Sequence, residues 1–194
     1  QATVASCSIP LSKADRAILA GDHKQLPPFS SRDDPPDSEF GMSLFEHLYA
    51  DGGVFEGVGV TLTTQYRMHQ DIAAFSNSHF YGGELRNGQT IEPISNRPAP
   101  IEAFNVGGKV SLHDTSRSNK TEAKLVGYLI QQLLDELEPT DIGVITPYSA
   151  QVRVIQQMID RYLPEADGVT VNTIDSMQGS EREAIILSLV RSNS

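Results

Sequence analysis

The chain has 194 residues, 39% of them hydrophobic, with 25 acidic against 15 basic side chains and a formal charge of −10. This balance excludes a protein that coats nucleic acid through bulk positive charge, though not one with a narrow basic track. No apolar run reaches the ~20 residues that span a bilayer, no signal-peptide pattern opens the chain, and one cysteine, Cys7, leaves no intrachain disulfide or multi-cysteine metal cage.

These readings give a cytoplasmic protein with Cys7 as a small apolar core residue. In chain order, "AILA" (Ala17 to Ala20) predicts a buried strand that ends in the polar loop Gly21 to Pro28. "SSRDDPPDSEF" (Ser30 to Phe40) predicts an exposed linker. Leu44, Phe45, Leu48 and Tyr49 fall at helical spacing, with Gly52-Gly53 as the stop. "GVTLTT" (Gly59 to Thr64) is β-rich, and His69 to Tyr81 has helical periodicity closed by Gly82-Gly83.

After a break at Ile94 to Pro100, Ile101 to Val106 reads as a strand. Asn119 to Leu137 is a long amphipathic helix, capped by Asn119 or Thr121 and closed by Pro139. A buried strand (Ile142 to Ile145), a Pro-containing turn and a second helix follow. Then come a strand (Val169 to Asn172), a polar loop and a last apolar strand (Ala184 to Val190). Strands alternate with helices and the last strands are continuous apolar runs, so the fold class is α/β with a mainly parallel sheet covered on both faces.

Polar segments follow the strands: Gly21 to Pro28, Gln65 to Asp71, Thr146 to Gln151 and Asn172 to Glu183. In such sheets, ligand-contacting groups collect at the carboxyl ends of strands. Arg67 beside Tyr66 offers a planar guanidinium for a phosphate and a ring for a base, or else a surface arginine with a core tyrosine. "TPYSAQ" offers hydroxyls at a helix N-terminus, where a backbone phosphate fits as well as an ordinary capping turn opened by Thr146 or Ser149. Gly179 after Gln178 allows close backbone approach, with Glu181 as an acceptor for a ribose hydroxyl, although a lone turn glycine is commonplace. His23 and His69 could contact a ligand or stand solvated on their loops. The five histidines form no HxxxH or HExxH, and no GxxxxGK[ST] phosphate loop occurs.

In this order, the four segments resemble superfamily 1 helicases of the Upf1-like group, which includes the immunoglobulin-mu-binding helicases. "GDHKQLPP" is similar to motif III, "TTQYRMH" to motif IV, "IGVITPYSAQ" to the segment between, and "VTVNTIDSMQGSEREAIILSLVRSN" to motif V. "SLFEHL" and "FYGGEL" are similar to connecting stretches of the group, so the resemblance runs nearly end to end. It implies a RecA-like P-loop NTPase fold of three α/β/α layers. It also implies that residues 1–30 are the tail of a first RecA-like domain and 31–58 a linker and helix. Residues 59–194 would then be a second RecA-like domain that stops before motif VI.

The resemblance further implies ATP and Mg²⁺ as cofactors, both held mainly by the first RecA-like domain, and single-stranded DNA or RNA as the track. By matching position, Gln25 would sense the γ-phosphate, with Asp22 shaping its loop. Tyr66 would stack on the adenine and Arg67 would act as an arginine finger, while Gly179 and Glu181 would contact the nucleotide. Pro27, Thr146, Pro147, Tyr148 and Thr173 would line the single-strand track. Without its upstream partner domain, the loop Gly21 to Pro28 would be poorly supported, with Gln25 facing solvent or an opportunistic contact. Two departures stand out: "MHQ" where the group has "MHP", and Ser180 where Arg is frequent. The same motor could serve a nuclease–helicase fusion, or a non-motor module that docks a partner.

Overall fold

The computed structural model describes residues 2–28, 43–49, 59–94, 97 and 99–191. The expected linker Ser30 to Phe40 and the stop Gly52-Gly53 lie outside the described residues. The chain forms two compact units, Gln1–Ile101 and Glu102–Ser194. Among the described residues, no helix is long and apolar enough to cross a membrane.

The first unit begins with helix α1, Val4–Leu11, whose N-cap Thr3 accepts a hydrogen bond from the Ser6 amide. Pro10 inside its last turn and the absence of an apolar stripe hid this helix from the sequence reading. Cys7 on α1 is half-buried, not the core residue expected. Helix α2, Leu44–Tyr49, is the helix predicted there, and Ser43 Oγ caps it by accepting from the Glu46 amide at 3.0 Å.

The strand predicted at Ala17 to Ala20 does not form: these residues have no regular structure, and Ile18 is 98% exposed. A short apolar run can be buried as a strand only beside a partner that takes its backbone bonds. None of the described strands of this unit pairs with it. The predicted strand Gly59 to Thr64 shrinks for the same reason to β1, Thr64–Gln65, paired in parallel with β2, Arg86–Asn87. Between them runs α3, Gln70–Phe80, with His69 as N-cap and Tyr81 as C-cap, close to the predicted bounds. Gly82 and Gly83 take positive φ, and the Gly83 amide returns to the Asn77 carbonyl at 3.0 Å. Gln70 occupies the first helical position, where the family's Pro would stand, and His69 Nδ1 accepts from the Asp71 amide instead.

The second unit is the α/β part. Ile101 to Val106 is not a strand as predicted, since nothing pairs with it among the described strands. An antiparallel hairpin that the sequence reading missed follows, β3 (Val110–His113) and β4 (Ser116–Asn119). Its two-residue turn is Asp114-Thr115, with Asp114 at φ 50, which a glycine would have announced. Helix α4, Lys120–Leu133, is capped by Asn119, whose Oδ1 accepts from the Thr121 and Glu122 amides.

A parallel sheet follows in the order β6-β5-β7: β5 is Ile142–Thr146, β6 Thr170–Thr173 and β7 Ala184–Leu187. The last strand is three residues shorter than predicted. Helix α5, Ser149–Tyr162, connects β5 to β6, and a four-residue helix α6, Ile174–Met177, follows β6. Ile142, Val144 and Thr146 on one face of β5 are fully buried, as are Ile130 of α4 and Ile155 of α5. These apolar stripes form the core of the unit. On the other face of β5, Gly143 meets Ile185 and Met177. The parallel sheet and its crossover helix bear out the α/β class and fit a RecA-like fold.

Candidate functional site

In the first unit, the turn after β1 carries Tyr66 and Arg67. The Gln65 side chain builds this turn. Its Oε1 accepts from the Arg67 and Met68 amides at 2.9 and 3.0 Å, and its Nε2 donates to the Met68 carbonyl and to Asn87 Oδ1. A single amide thus closes the turn on itself and ties it to β2. Gln89 adds a bond to the Tyr66 carbonyl at 3.2 Å. The Tyr66 ring is 61% exposed and rests on Gly88, where any side chain would collide with it. Arg67 is exposed beside it. A flat ring and a guanidinium presented together on a fixed turn suit the base and phosphate ends of a nucleotide.

The loop Gly21 to Pro28 is organised around Asp22. Its Oδ1 accepts from the Lys24 amide at 3.0 Å, and its Oδ2 accepts from Gln25 Nε2 at 2.9 Å and from the Tyr81 hydroxyl at 2.6 Å. Partial burial works to raise the Asp22 carboxyl, but hydrogen bonds from Tyr81, Gln25 and Lys24 outweigh it and hold the group below the usual carboxylate value. Burial, and then the bond to Asp22, push the Tyr81 hydroxyl up to about 12. His23 is not solvated as one reading of it had it. Its ring stacks 6.3 Å from Phe45, and Phe45 in turn stacks 5.3 Å from Tyr49, so the loop leans on α2. Gln25 and Pro27 are exposed.

In the second unit, Thr146 and Thr173 are register partners at the carboxyl ends of β5 and β6. Pro147 is exposed and Tyr148 half-buried just beyond Thr146. The Thr146 Oγ1 is fully buried and has no hydrogen-bond partner among the described residues. Neither Thr146 nor Ser149 caps α5; Tyr148 is the N-cap without a side-chain bond. The Ala150 amide is taken by Ser116 Oγ from the hairpin at 2.9 Å, which leaves the helix N-terminus partly closed to an anion. Gly179, at φ 82 with open space around its Cα, turns the chain after α6. Glu181 is exposed, and its carbonyl accepts from Arg182 Nη1 at 2.6 Å.

A buried polar network lies behind these loops, and the sequence reading gave its members no role beyond the Asn119 cap. Gln151 Oε1 accepts from the Asn119 amide, and its Nε2 donates to the Asn119 carbonyl and to Ser188 Oγ. Ser188 Oγ donates to Glu122 Oε1, and both Glu122 carboxylate oxygens accept from the Val190 amide at 3.0 Å. The first turns of α4 and α5 are thus locked to the chain leaving β7. Gln151 stands inside "TPYSAQ", but nothing in a sequence separates a fully buried glutamine from a surface one.

The residues of the first unit suit part of an ATP site, and the chain contains no glycine-rich phosphate loop. Among the described residues, no group of three or more His, Cys, Asp or Glu side chains could hold a metal ion.

Two family profiles, each described as an AAA domain, match the chain, one over residues 40–194 and one over residues 1–31. "DNA-binding protein SMUBP-2" of Mesocricetus auratus is 35% identical over 210 residues, covering 100% of this chain and 21% of that protein. "DNA polymerase alpha-associated DNA helicase A" of Schizosaccharomyces pombe is 35% identical over 215 residues, 100% of this chain and 31% of the relative. "ATP-dependent helicase NAM7" of Saccharomyces cerevisiae is 37% identical over 214 residues, 100% and 21% respectively. The chain therefore spans between a fifth and a third of the length of these relatives. With two AAA-domain profiles along it and helicases aligned over its whole length, the chain belongs to the Upf1-like group of superfamily 1 helicase domains.

Proposed function

We propose that this chain is the part of an ATP-dependent helicase that supplies an arginine finger, a base-stacking ring and part of a single-strand track. The observation that carries this reading is the turn fixed by Gln65, which presents Tyr66 and Arg67 together. A guanidinium on a rigid turn meets a developing phosphate charge without first being ordered, which is what makes such a group effective. Bound ATP, with Mg²⁺, would supply the phosphoryl group whose hydrolysis drives the motor. Within this chain, Tyr66 would stack on the base and Arg67 neutralise phosphate charge. Gln25, held by Asp22, would report the state of the γ-phosphate. Gly179 and Glu181 would contribute nucleotide contacts from the motif V loop. Pro27, Thr146, Pro147, Tyr148 and Thr173 would follow one strand through backbone contacts, moving 5′ to 3′ and indifferent to sequence.

The full-length protein should hydrolyse ATP in response to single-stranded DNA or RNA, and a protein that does not would overturn the reading. Residues 1–194 alone should show no turnover, because the phosphate cradle and Mg²⁺ site are proposed to belong to another domain. Measurable nucleic-acid-stimulated hydrolysis by this segment would refute that division of labour.

The orphaned Thr146 hydroxyl gives a second test. A buried hydroxyl without a partner costs about 1–3 kcal/mol, so Thr146→Val should raise the urea midpoint of the chain. If Oγ1 turns to a nucleic-acid backbone on binding, the same change should weaken single-strand affinity in the full-length protein. Fluorescence anisotropy with a labelled oligonucleotide reads the second effect, and unaltered affinity removes Thr146 from the track.

A further inference from the structure

We propose that Tyr81 is a positioning residue for the Gln25 amide, acting through the carboxylate of Asp22. This deepens the reading of Gln25 as a phosphate sensor and rests on it for its functional consequence. Two of the three hydrogen bonds described on Asp22 come from within the loop, the Lys24 amide and Gln25 Nε2. The third comes from the Tyr81 hydroxyl, 59 residues away in sequence and part-buried. Asp22 Oδ2 accepts from both Gln25 and Tyr81, so the direction of one bond constrains the other. The amide of Gln25 also bears on the Tyr81 oxygen, where it favours the ionised phenol. The three groups form one cluster, not two separate pairs.

Tyr81 is itself held in place. It is the C-cap of α3, and its amide bonds to the Asn77 carbonyl. The Asn77 side chain clamps the returning chain through the Leu85 amide and carbonyl at 2.9 and 3.0 Å. The α3 helix starts three residues after Arg67 and spans 11 residues, about 16 Å at the helical rise. One rigid element therefore has the Arg67 turn at its beginning and the anchor of the Gln25 loop at its end. A tilt of α3 that moves Arg67 must also move Tyr81 and, through Asp22, the sensor amide. Hydrogen bonds to an ionised carboxylate are the strong kind, so this link can carry such a displacement.

The test is Tyr81→Phe, which removes one oxygen and keeps the ring. In residues 1–194, NMR should show the Asp22 carboxyl titrating at higher pH than in the wild type, because a donor to its charged form has gone. The Gln25 side-chain amide signals should move toward those of a free glutamine. Unchanged Gln25 signals would overturn the positioning role. The amide spectrum of α3 and the second unit, expected to be unchanged, separates this loss from general unfolding. Tyr81→Trp, with a donor in another place, should not restore the Gln25 signals.

In the full-length protein, Tyr81→Phe should lower the nucleic-acid-stimulated kcat for ATP about tenfold with little change in KM for ATP, as loss of one interaction made only in the transition state would. Asp22→Asn and the double variant should lose no more than either single change, since all act on one amide. Additive losses, or a fall in affinity alone, would overturn the functional half of the proposal. If the wild type has no stimulated turnover, the helicase reading fails, and the NMR comparison still decides whether Tyr81 holds Gln25.

Discussion

Replacing Arg67 by Ala in the full-length protein should leave ATP binding largely intact and lower turnover by about 10³-fold or more, the range seen when an arginine finger is withdrawn. The asymmetry follows from where a finger acts. In the proposed mechanism, base stacking on Tyr66 and the phosphate cradle of another domain would act on the bound nucleotide, whereas Arg67 would matter most when charge builds on the phosphoryl oxygens. Arg67→Lys should recover little, because an ammonium cannot span two oxygens as a planar fork does. The turn itself should survive both changes. The described bonds of the turn run from the Arg67 and Met68 amides to Gln65. Stopped-flow binding of a fluorescent nucleotide together with steady-state hydrolysis separates the two quantities. Unchanged turnover in Arg67→Ala removes the finger assignment.

Gln151→Ala should be the most destabilising single change in the second unit, costing about 3 kcal/mol and shifting the urea midpoint accordingly. The side chain is fully buried and satisfies the Asn119 amide, the Asn119 carbonyl and the Ser188 hydroxyl together. Its loss leaves a cavity and also strands buried polar groups, each worth roughly 1–3 kcal/mol when unpaired. Gln151→Leu fills much of the cavity but leaves the same groups stranded, so it should rescue only a minor part of the loss. Full rescue by leucine would show that packing, not hydrogen bonding, is what the site demands. Wild-type stability of Gln151→Ala would show the network to be dispensable.

Helices α2 to α5 and the parallel sheet were legible because their patterns are local. The apolar spacing of α2, α3 and α4 and the capping Asn119 lie within a few residues of the elements they define. The continuous apolar run of β5 announces its burial on both sides, whereas β7, read the same way as covered on both faces, leaves Ile185 and Leu187 exposed. The Ala17 to Ala20 and Ile101 to Val106 segments carry a similar local signal, yet a strand also needs a neighbour, and no described strand pairs with either. The hairpin escaped for the opposite reason: its ladder exists, but Asp114-Thr115 replaces the glycine that usually marks such a turn. At the candidate site, the polar loops after β1, β5 and β6 could be read from their position after strands, whereas the loop Gly21 to Pro28 follows no described strand. Gln65, Tyr81 and Gln151, which hold those loops, could not. Each acts through a buried or shared hydrogen bond to a residue remote in sequence or to a backbone amide, and the residue type alone does not reveal it.

The bifurcated hydrogen bond from the Val190 amide to the Glu122 carboxylate has a consequence for the path of the chain. Val190 is buried and sits at φ 70, a left-handed backbone that a β-branched residue adopts only under constraint, at a cost of about 1–3 kcal/mol. The carboxylate on α4 supplies that constraint by accepting the Val190 amide with both oxygens. The bend after β7 is therefore closed locally by the Arg191 amide bonding to the Leu189 carbonyl at 2.8 Å and held from an earlier helix of the unit by Glu122. Glu122 works as a rudder, fixing the heading on which the backbone leaves the parallel sheet.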